Sequence, residues 1–414
     1  MAFRSYCRIP KNSSKKYVDG SVPELLDDLI KELSGAEEIF IAFYLFNNER
    51  LADFLIKEAE RGCKVTIISI PLNGYGTKQT MIHDVGKKLS PREMAEKVYE
   101  KLSRTKNITL FVFPHMYTWY GALYVGGNAS YSFHIKALFA RFGNSTKCFI
   151  SSGNFLTGDP PHSDSITVAE NEPEMEEAYN KFFEDIIKKS VEIETYKSKF
   201  KNPLSDFVYV GGYPLIEVSN NNLPAFFTTP FYKINGQGSN HYASKRLIDL
   251  INDANERILI CAQHFHDIIS FDPNAKTIIG ALKRKMESNP KIKVRVLKQL
   301  SHSGLADKRR AAITETLFQF VLKVPQRFNK LVHDKFIIVD DKIAITTANY
   351  TPTQFAWGER DMESKYEGAT YYKVDIFSEV NAFMLLENAP EVVASYEKHF
   401  ERLWQGGQDI VINI

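Results

Sequence analysis

Residues 331–340 read LVHDKFIIVD. The stretch places His333 and Lys335 two residues apart and follows them with four apolar residues and Asp340. Because neighbouring side chains of a strand point to opposite faces, His333 and Lys335 would share one face. Two ionisable side chains on the buried face of a strand are unfavourable unless they are paired or used. The stretch therefore indicates a site, provided that the chain repeats it in a matching context.

A counterpart occurs earlier in the chain, where residues 132–144 read SFHIKALFARFGN and carry His134 and Lys136. Arg141 stands where the counterpart of Asp340 is expected, and the predicted hairpin is four residues longer than in the second copy. A single His-x-Lys pair arises easily by chance. Two such pairs on similar apolar strands indicate a duplicated functional unit.

The strands that follow the two pairs also match, since FISSGNFL (149–156) aligns with AITTANYT (344–351). A return strand brings its polar end back beside the strand before it, so these ends would lie near the histidines. Four aligned side chains are therefore candidate site residues: Ser152 and Asn154 in the first copy, Thr347 and Asn349 in the second.

The framework around the pairs is repeated as well. EEIFIAFYLF (37–46) resembles ERILICAQHF (256–265), and each follows an amphipathic helix. Each also precedes another helix and another apolar strand, at 63–71 and at 292–300. Strands that alternate with helices are typical of an α/β fold whose sheet is largely parallel.

The segment after each unit closes with a similar helix. NEPEMEEAYNKFFE (171–184) and NAPEVVASYEKHFE (388–401) are identical at seven of fourteen positions. We therefore predict a lobe over residues 1–200, a Pro/Gly/Asn-containing connector over 201–224 and a second lobe over 225–414. Insertions, at about 72–107 and about 354–386, distinguish the two copies, and such loops commonly form the rim of a site.

Composition favours a globular protein of a reducing compartment. The 414 residues are 44% apolar and carry a formal charge of +2, which excludes a grossly basic chain but not a local basic groove. The four cysteines have no zinc-ligand spacing, and neither a signal peptide nor a membrane span is evident. These features predict a cytoplasmic protein with no membrane association.

The doubled His-x-Lys, each followed by a Ser/Thr-x-x-Asn-like return strand, resembles the phospholipase D superfamily, whose motif is HxK(x)4D. The likeness extends over essentially the whole chain and is most similar to nuclease-type prokaryotic members. It implies two α-β-α sandwich lobes, each with a mixed, largely parallel sheet, that form a pseudo-dimer around one site. It also implies a reaction that needs no metal and no cofactor. Further oligomerisation is left open.

The resemblance assigns the two pairs to phosphodiester cleavage. Two lysine side chains can hold the phosphate and neutralise its developing charge. One neutral imidazole can attack phosphorus and form a phosphohistidine, while the other, protonated, gives a proton to the leaving oxygen. His134, Lys136, His333 and Lys335 are thus predicted catalytic residues, together with Asn154 and Asn349. The sequence leaves open which histidine attacks.

Acidic residues that orient the histidines are harder to locate. Asp340 completes the motif, but a turn role for it is as reasonable as a catalytic one. Further along the chain Glu170 or Glu172, and Asp361 or Glu363, could hold a histidine, and we favour Glu172 and Glu363. Tyr44 and His264, where the first strand of each lobe ends, are candidate substrate-binding residues, as are Ser152 and Thr347.

For the substrate, the resemblance and the compact chain favour nucleic acid, with DNA preferred over RNA, and an endonuclease of the restriction or defence type. Two alternatives stay open. One is a phosphodiesterase directed at phospholipids. The other is a module that binds nucleic acid but cleaves it weakly, which the departure at Arg141 suggests. Partner proteins are not predicted.

Overall fold

The computed structural model describes the chain in sixteen segments, on which all structural statements below rest: 2–10, 23–44, 47–70, 91–113, 115–116, 133–157, 162–199, 208–209, 215–219, 223–229, 231–266, 277–299, 305–355, 362–366, 369–374 and 379–410. Residues 71–80, with the PLNGYGTKQT insertion, and Asp361 lie outside them. The side chain of Glu363 also lies outside the described part, although its strand does not.

The first lobe contains nine strands and five helices among the described residues. The strands are β1 (Phe3–Arg8), β2 (Glu38–Phe43), β3 (Lys64–Ser69), β4 (Ile108–Val112), β5 (His115–Met116), β6 (Lys136–Phe142), β7 (Ser145–Ser151), β8 (Asp164–Glu170) and β9 (Val191–Glu192). The helices span Pro23–Leu33, Glu49–Glu60, Pro91–Ser103, Pro173–Lys188 and Ile193–Lys199.

The connector and second lobe continue the series. The strands are β10 (Val208–Tyr209), β11 (Ile216–Val218), β12 (Ala225–Thr228), β13 (Tyr232–Ile234), β14 (Gln237–Gly238), β15 (Arg257–Ala262), β16 (Lys293–Lys298), β17 (Gln326–Phe328), β18 (Lys335–Val339), β19 (Lys342–Thr346), β20 (Met362–Tyr366), β21 (Ala369–Val374), β22 (Asn381–Leu386) and β23 (Gln408–Asp409). The helices span Ser239–Asn252, Ile278–Ser288, Leu305–Thr316, Pro352–Phe355 and Pro390–Gln405, with a π-helix at Leu317–Val321.

Two eight-stranded sheets have the same strand order. The first runs β1-β8-β7-β6-β2-β3-β4-β9, and the second runs β12-β22-β19-β18-β15-β16-β17-β23. Each strand of one sheet therefore has a counterpart at the same place in the other. This order confirms the predicted fold of two α/β lobes. The boundaries at residues 200 and 225 stay a proposal, because strands β10 and β11 of the connector pair with β5 and β13 on either side.

Both sheets are mixed, but less parallel than predicted. Among the described strands, β2, β3 and β4 pair in parallel, as do β15, β16 and β17, while the other pairings in each sheet are antiparallel. The excess of antiparallel pairing has a simple cause. Two-residue connections such as those between β6 and β7 and between β18 and β19 can join only antiparallel neighbours, whereas parallel strands need a long crossover.

The closing helices, Pro173–Lys188 and Pro390–Gln405, tie the lobes together. Each begins with a proline, whose missing N–H lies where a helix has no internal partner. The first packs on β12 of the other lobe, where the rings of Phe182 and Phe227 stack with centroids 4.1 Å apart. The second packs on β1, and the hydroxyl of Tyr396 hydrogen-bonds Thr167. The buried apolar residues of the two lobes thus form one continuous hydrophobic core.

No helix in the described segments combines the length and the apolar character needed to cross a bilayer.

The hairpins after the two motifs explain the difference between Asp340 and Arg141. Both turns are equally tight, since Phe142 pairs with Ser145 and Val339 with Lys342. The extra residues of the first hairpin extend strands β6 and β7 instead of the turn. Consequently Asp340 occupies a turn with φ +52°, while Arg141 lies in a strand opposite Glu38.

Asp340 has a structural role and does not point to the motif histidine. Its carboxylate accepts hydrogen bonds from the backbone N–H groups of Asn255, Glu256 and Arg257, at 2.7, 2.9 and 2.9 Å. It stands at the far end of β18 from Lys335. The expectation that Asp340 is catalytic is therefore corrected: the motif aspartate fixes the hairpin against the start of β15.

In the first lobe, the residues at the equivalent positions of the sheet carry charges of the opposite sign. Arg141 pairs with Glu38 and stacks over Phe139, and Glu38 occupies the sheet position that Arg257 has in the second lobe. A side-chain ion pair between Glu38 and Arg141 thus stands where, in the second lobe, Arg257 lies beside Asp340 and its guanidinium pairs with Glu397. The signs of charge at the two positions are exchanged between the lobes, so Arg141 has a partner of opposite charge on the next strand.

We predict that Asp340→Ala lowers the free energy of unfolding by about 1–2 kcal/mol, as the loss of a backbone cap does. The pKa of Asp340 is lowered: burial opposes this, but the backbone hydrogen bonds from Arg257, Asn255 and Glu256 outweigh it. The stabilisation is therefore present above about pH 4 and disappears as pH falls through the lower folded pKa. Urea unfolding of both proteins at pH 7 and pH 3 measures this, and an undiminished difference at pH 3 would contradict it.

Candidate active site

The two motifs lie at the same edge of their sheets. Lys136 opens β6 opposite Phe43, the last residue of β2, and Lys335 opens β18 opposite Ala262, the last residue of β15. Both pairs are therefore at the carboxyl ends of the parallel strands. In open α/β sheets this edge is where ligands bind.

Both lysines are buried and are held by their own motif. The Nζ of Lys136 donates to the backbone carbonyl of His134 at 2.9 Å, and the Nζ of Lys335 donates to that of His333 at 2.5 Å. Burial lowers the pKa of Lys335 to about 8, against the opposing charges of Asp164 and Asp334. An ammonium at this site is poorly solvated and therefore a strong partner for an anion.

The two motifs face each other in one site. The pKa of His134 is held well below its ordinary value by burial, by the charge of Lys136 and by the charges of Lys335 and His333 of the other lobe. A backbone bridge between Phe133 and Val380 and a hydrogen bond from the N–H of Ser163 to the carbonyl of Leu331 join the lobes beside the motifs. Two histidines and two lysines thus converge from both lobes.

Asp164 is the carboxylate that holds a motif histidine. It opens β8 of the first lobe, is buried, and its Oδ1 lies 2.7 Å from Nδ1 of His333 in the second lobe. Burial alone would raise its pKa, but the charge of His333 and hydrogen bonds from His162 and His333 hold the pKa well below its usual value. An ionised carboxylate only accepts hydrogen bonds, so Nδ1 of His333 carries the proton and Nε2 keeps a free lone pair.

The counterpart of Asp164 in the second lobe is Asn381. Ser152 donates to Asp164 at 2.8 Å and accepts from the N–H of Ser165 at 2.9 Å. Thr347 makes the same two bonds, donating to Asn381 at 3.0 Å and accepting from the N–H of Ala382 at 3.0 Å. The predicted substrate-binding residues Ser152 and Thr347 therefore orient the groups behind the histidines.

This substitution makes the two histidines chemically different. His134 faces the amide of Asn381, which raises its pKa slightly against the effects that lower it. A neutral amide can donate or accept, so it does not fix the tautomer of its partner. His333 has a fixed tautomer and an anionic support, whereas the partner of His134 does not fix its tautomer.

A second polar cluster lies behind the motif of the second lobe. Asp334, fully buried between His333 and Lys335, accepts from the hydroxyls of Ser163 and Ser165 at 2.6 and 2.7 Å and contacts His399 at 2.9 Å. The residues at the same places in the first lobe, Ile135 and Phe182, are apolar. The cluster joins the second motif to β8 of the first lobe through side chains.

Two predicted asparagines have an unsatisfied atom at the site. The Oδ1 atoms of Asn154 and Asn349 are buried and accept no hydrogen bond from the described residues. Such an acceptor is unfavourable unless a ligand or water supplies a donor. Both therefore stay candidates for contact with substrate.

The two predicted aromatic residues flank the motifs. The ring of Tyr44 lies beside that of His134, with centroids 6.2 Å apart. His264 is bound through its backbone carbonyl to the N–H of Tyr350, next to Asn349. Both are only half-buried, so a substrate that enters the site could reach them.

Glu172 and Glu170 do not reach the site. Glu172 precedes the first closing helix, and Glu170 ends β8 and pairs with Arg4, so both lie at the opposite end of that strand from Asp164. The preference for Glu172 is therefore wrong. The side chain of Glu363 lies outside the described part, and its strand, β20, pairs with β21 in a separate two-stranded sheet.

Sequence reasoning missed three residues of the site: His162, Asp164 and Glu379. The repeat of the closing segments contained the signal for two of them. Extending that alignment backwards from Asn171 and Asn388 places Asp164 opposite Asn381 and His162 opposite Glu379. Glu379 is buried, which raises its pKa to about 8, partly offset by a hydrogen bond from Gln354 and by the charge of Lys136.

In the described part of the chain, one group of side chains is close enough together to be considered as a metal site, but its geometry does not suit an ion. His162, Asp164 and His333 have potential ligand atoms within 4.8 Å of one another. However, the two imidazole rings stack with an interplanar angle of 22°. Nearly parallel stacked rings keep their nitrogen lone pairs in separate planes, so the lone pairs do not converge on one ion. The nitrogen of His333 that faces the group is already bound to Asp164.

Comparison with known proteins supports the fold. A family model described as cardiolipin synthase, PLD-like domain, matches residues 247–404. Phosphatidylserine synthase of Haemophilus influenzae is 11% identical, with a TM-score of 0.54, over 99% of this chain and 87% of that chain. A search of curated proteins found no match.

Two other solved structures are more distant. Yeast tyrosyl-DNA phosphodiesterase 1 is 12% identical, with a TM-score of 0.44, over 92% of this chain and 89% of that chain. Polyphosphate kinase of Porphyromonas gingivalis is 10% identical, with a TM-score of 0.49, over 97% of this chain. This chain spans 50% of the length of that kinase.

We predict that Asp164→Asn removes the fixed tautomer of His333, because an amide can donate to Nδ1 as well as accept from it. Imidazole ¹⁵N NMR should show one His333 tautomer, protonated at Nδ1, in the wild type and a mixture in the variant. The matched control is Asn381→Asp, which should fix His134 and leave His333 unchanged. An unaltered His333 tautomer in Asp164→Asn would contradict the assignment.

Proposed function

We propose that the chain is a member of the phospholipase D superfamily and a metal-independent phosphodiesterase that cleaves nucleic acid through a phosphohistidine. The PLD-like family model over residues 247–404 and the shared fold support phosphodiesterase-type chemistry. The cleavage of nucleic acid, the preference for DNA and a role in restriction or defence are the finer parts of the proposal.

The proposed reaction rests on one observation. The histidines and buried lysines of the two motifs come from different lobes, yet they lie close enough for their charges to interact. The lysines provide positive charge on both sides of a bound phosphate. The histidines provide an attacking and a protonating nitrogen. Neither lobe supplies this set alone.

The roles of the histidines follow from their supports. We assign the attack to His333, whose Nε2 lone pair is free because Asp164 fixes the proton on Nδ1. Nε2 forms the bond to phosphorus as the bond to the leaving oxygen breaks, and protonated His134 gives that oxygen its proton. Neutral His134 then takes a proton from water, whose oxygen displaces His333 and completes hydrolysis.

Anion binding makes the proton donor available. Burial and the charges of Lys136, Lys335 and His333 lower the pKa of His134. A phosphodiester carries a negative charge, and between the two lysines it offsets part of that positive field. Binding of substrate therefore favours protonated His134 at the moment when a proton donor is needed.

The surroundings of the site favour nucleic acid as the substrate. Tyr44 sits beside His134 at the carboxyl edge of the sheet, and an aromatic ring beside a phosphate site is suited to stack on a base. The buried Oδ1 acceptors of Asn154 and Asn349 could receive hydrogen bonds from sugar or base donors. A phospholipid would offer these groups a headgroup but no base.

We predict cleavage of plasmid or single-stranded DNA in excess EDTA, reduced by at least about 10³-fold in His134→Ala and in His333→Ala, which remove the acid–base group and the nucleophile. The matched control is Asp340→Ala, which alters the same motif outside the site and should retain most activity per folded molecule. RNA and vesicles of phosphatidylcholine or phosphatidylglycerol are assayed in parallel.

The parallel assays separate the alternatives. Lipid cleavage with intact DNA and RNA would replace nucleic acid by phospholipid as the substrate. Binding of nucleic acid without cleavage of any substrate would indicate a binding module. DNA cleavage that is lost in EDTA and restored by a divalent cation would overturn the metal-independent mechanism.

We also predict a bell-shaped dependence of kcat/KM on pH with its maximum on the acidic side of neutral. The reaction needs neutral His333 and protonated His134, and burial with nearby lysines lowers the pKa of both, that of His333 to about 3. Initial rates over about pH 4 to 9 with a fixed ionic strength measure the profile. A flat profile would exclude this pair of protonation states.

A further inference from the structure

A third histidine contacts the site from the first lobe. The ring of His162 stacks on that of His333 with centroids 4.4 Å apart and an interplanar angle of 22°. Its Nδ1 lies 3.5 Å from Oδ2 of Asp164, while Oδ1 of the same carboxylate holds His333. Asp164 therefore stands between two imidazoles, and one of these imidazoles lies flat against the other.

The arrangement is specific to this half of the site. The counterpart of His162 is Glu379. The side-chain amide of Gln354 donates a hydrogen bond to its carboxyl group at 2.7 Å, and the charge of Lys136 lowers its pKa against the effect of burial. The first motif thus has an acid and an amide beside it, whereas the second has an imidazole and a carboxylate. If His162 only filled space, there would be no reason for a basic side chain at this position and an acidic one, Glu379, at the equivalent position of the other lobe.

Several charged groups act on His333, and their balance sets its protonation. Burial and the charge of Lys335 favour the neutral ring, and Asp164 favours the protonated ring. His162 acts against Asp164, because its field also disfavours a proton on His333. On the other lobe His134 and Lys136 face the same space, and behind the motif Asp334 is paired with His399.

Resting on the proposed phosphodiesterase function, we propose that His162 is a positioning residue that restrains the ring of His333 by stacking and shares its partner Asp164, which keeps His333 in the neutral form that attacks phosphorus. Without His162, His333 would be the only imidazole beside Asp164, which would keep its hydrogen bond from Ser152. A fuller ion pair would protonate His333 at higher pH and remove the attacking lone pair.

The stack has a second consequence during the reaction. When Nε2 bonds to phosphorus while Nδ1 keeps its proton, the ring of His333 becomes cationic. A neutral His162 ring lying flat against it favours this cation through its π-electrons, whereas a proton on His162 would oppose it. The ring is also prevented from rotating about its Cβ–Cγ bond, so Nε2 stays directed at the phosphate.

Two substitutions separate the effect of ring stacking on His333 from the effect of the contact with Asp164. His162→Phe keeps the ring that stacks but removes the nitrogen that contacts Asp164. His162→Gln keeps a polar contact with Asp164 but removes the stack. Both variants are compared with wild type in EDTA on bis(p-nitrophenyl) phosphate, whose leaving group departs without a proton, so that the acid limb of kcat/KM reports the attacking histidine.

We expect the acid limb to move to higher pH in both variants, by about one pH unit, which is about a tenfold loss of rate on the acid side. At the pH optimum, His162→Phe should stay within about twofold of wild type, whereas His162→Gln should lose a further fivefold or so because its stack is absent. Thermal unfolding verifies that both variants are folded at the assay temperature.

An unchanged acid limb in both folded variants would overturn the proposal. Imidazole NMR of the wild type provides a test that needs no variant. Titration of His162 should change the Nε2 chemical shift of His333. If that shift does not change, the two rings are not coupled and the proposal is contradicted. If the wild type cleaves no phosphodiester, the proposed function fails, whereas this NMR coupling still tests the contact.

Discussion

A buried hydrogen bond between the lobes organises the site: Asp164 of the first sheet holds His333 of the second at 2.7 Å. A carboxylate and an imidazole without solvent are unfavourable unless each is fully paired. Ser152 and His162 complete the pairing on the side of the first lobe. The two sheets must therefore meet in one register, and the shared site exists only when they do.

The site is symmetric in framework and asymmetric in chemistry. The identical strand order places equivalent residues at equivalent points, and the lysines and return-strand hydroxyls keep the same contacts in both lobes. The differences are concentrated in three places, Asp164 against Asn381, His162 against Glu379, and Asp334 against Ile135. Each difference changes the charge or the hydrogen bonds around His333, and the proposed division of attack and proton transfer between the two histidines depends on this asymmetry.

The repeat made the fold and the four motif residues predictable, because periodic apolar strands and matched pairs are local signals. The supporting carboxylate was not predictable in the same way. Asp164 acts across the lobe interface, so the separation in sequence between Asp164 and His333 gives no indication of their contact. Glu172 is an acid further along the chain than the first motif, and the sequence alone does not distinguish such an acid from one that reaches a histidine. The role of Asp340 also required the structure, since a turn and a site are both compatible with an aspartate after an apolar strand.

The reversed charges on β2 and β6 have a consequence for assembly. Two sheets with the same strand order and similar apolar strands could exchange β6 and β18 while the chain folds. Such an exchange would set Glu38 against Asp340, or Arg257 against Arg141, and place like charges on adjacent strands. Charge therefore disfavours the exchange of two hairpins with similar apolar strands, and in the first lobe Arg141, the residue that departs from the motif, provides part of that charge.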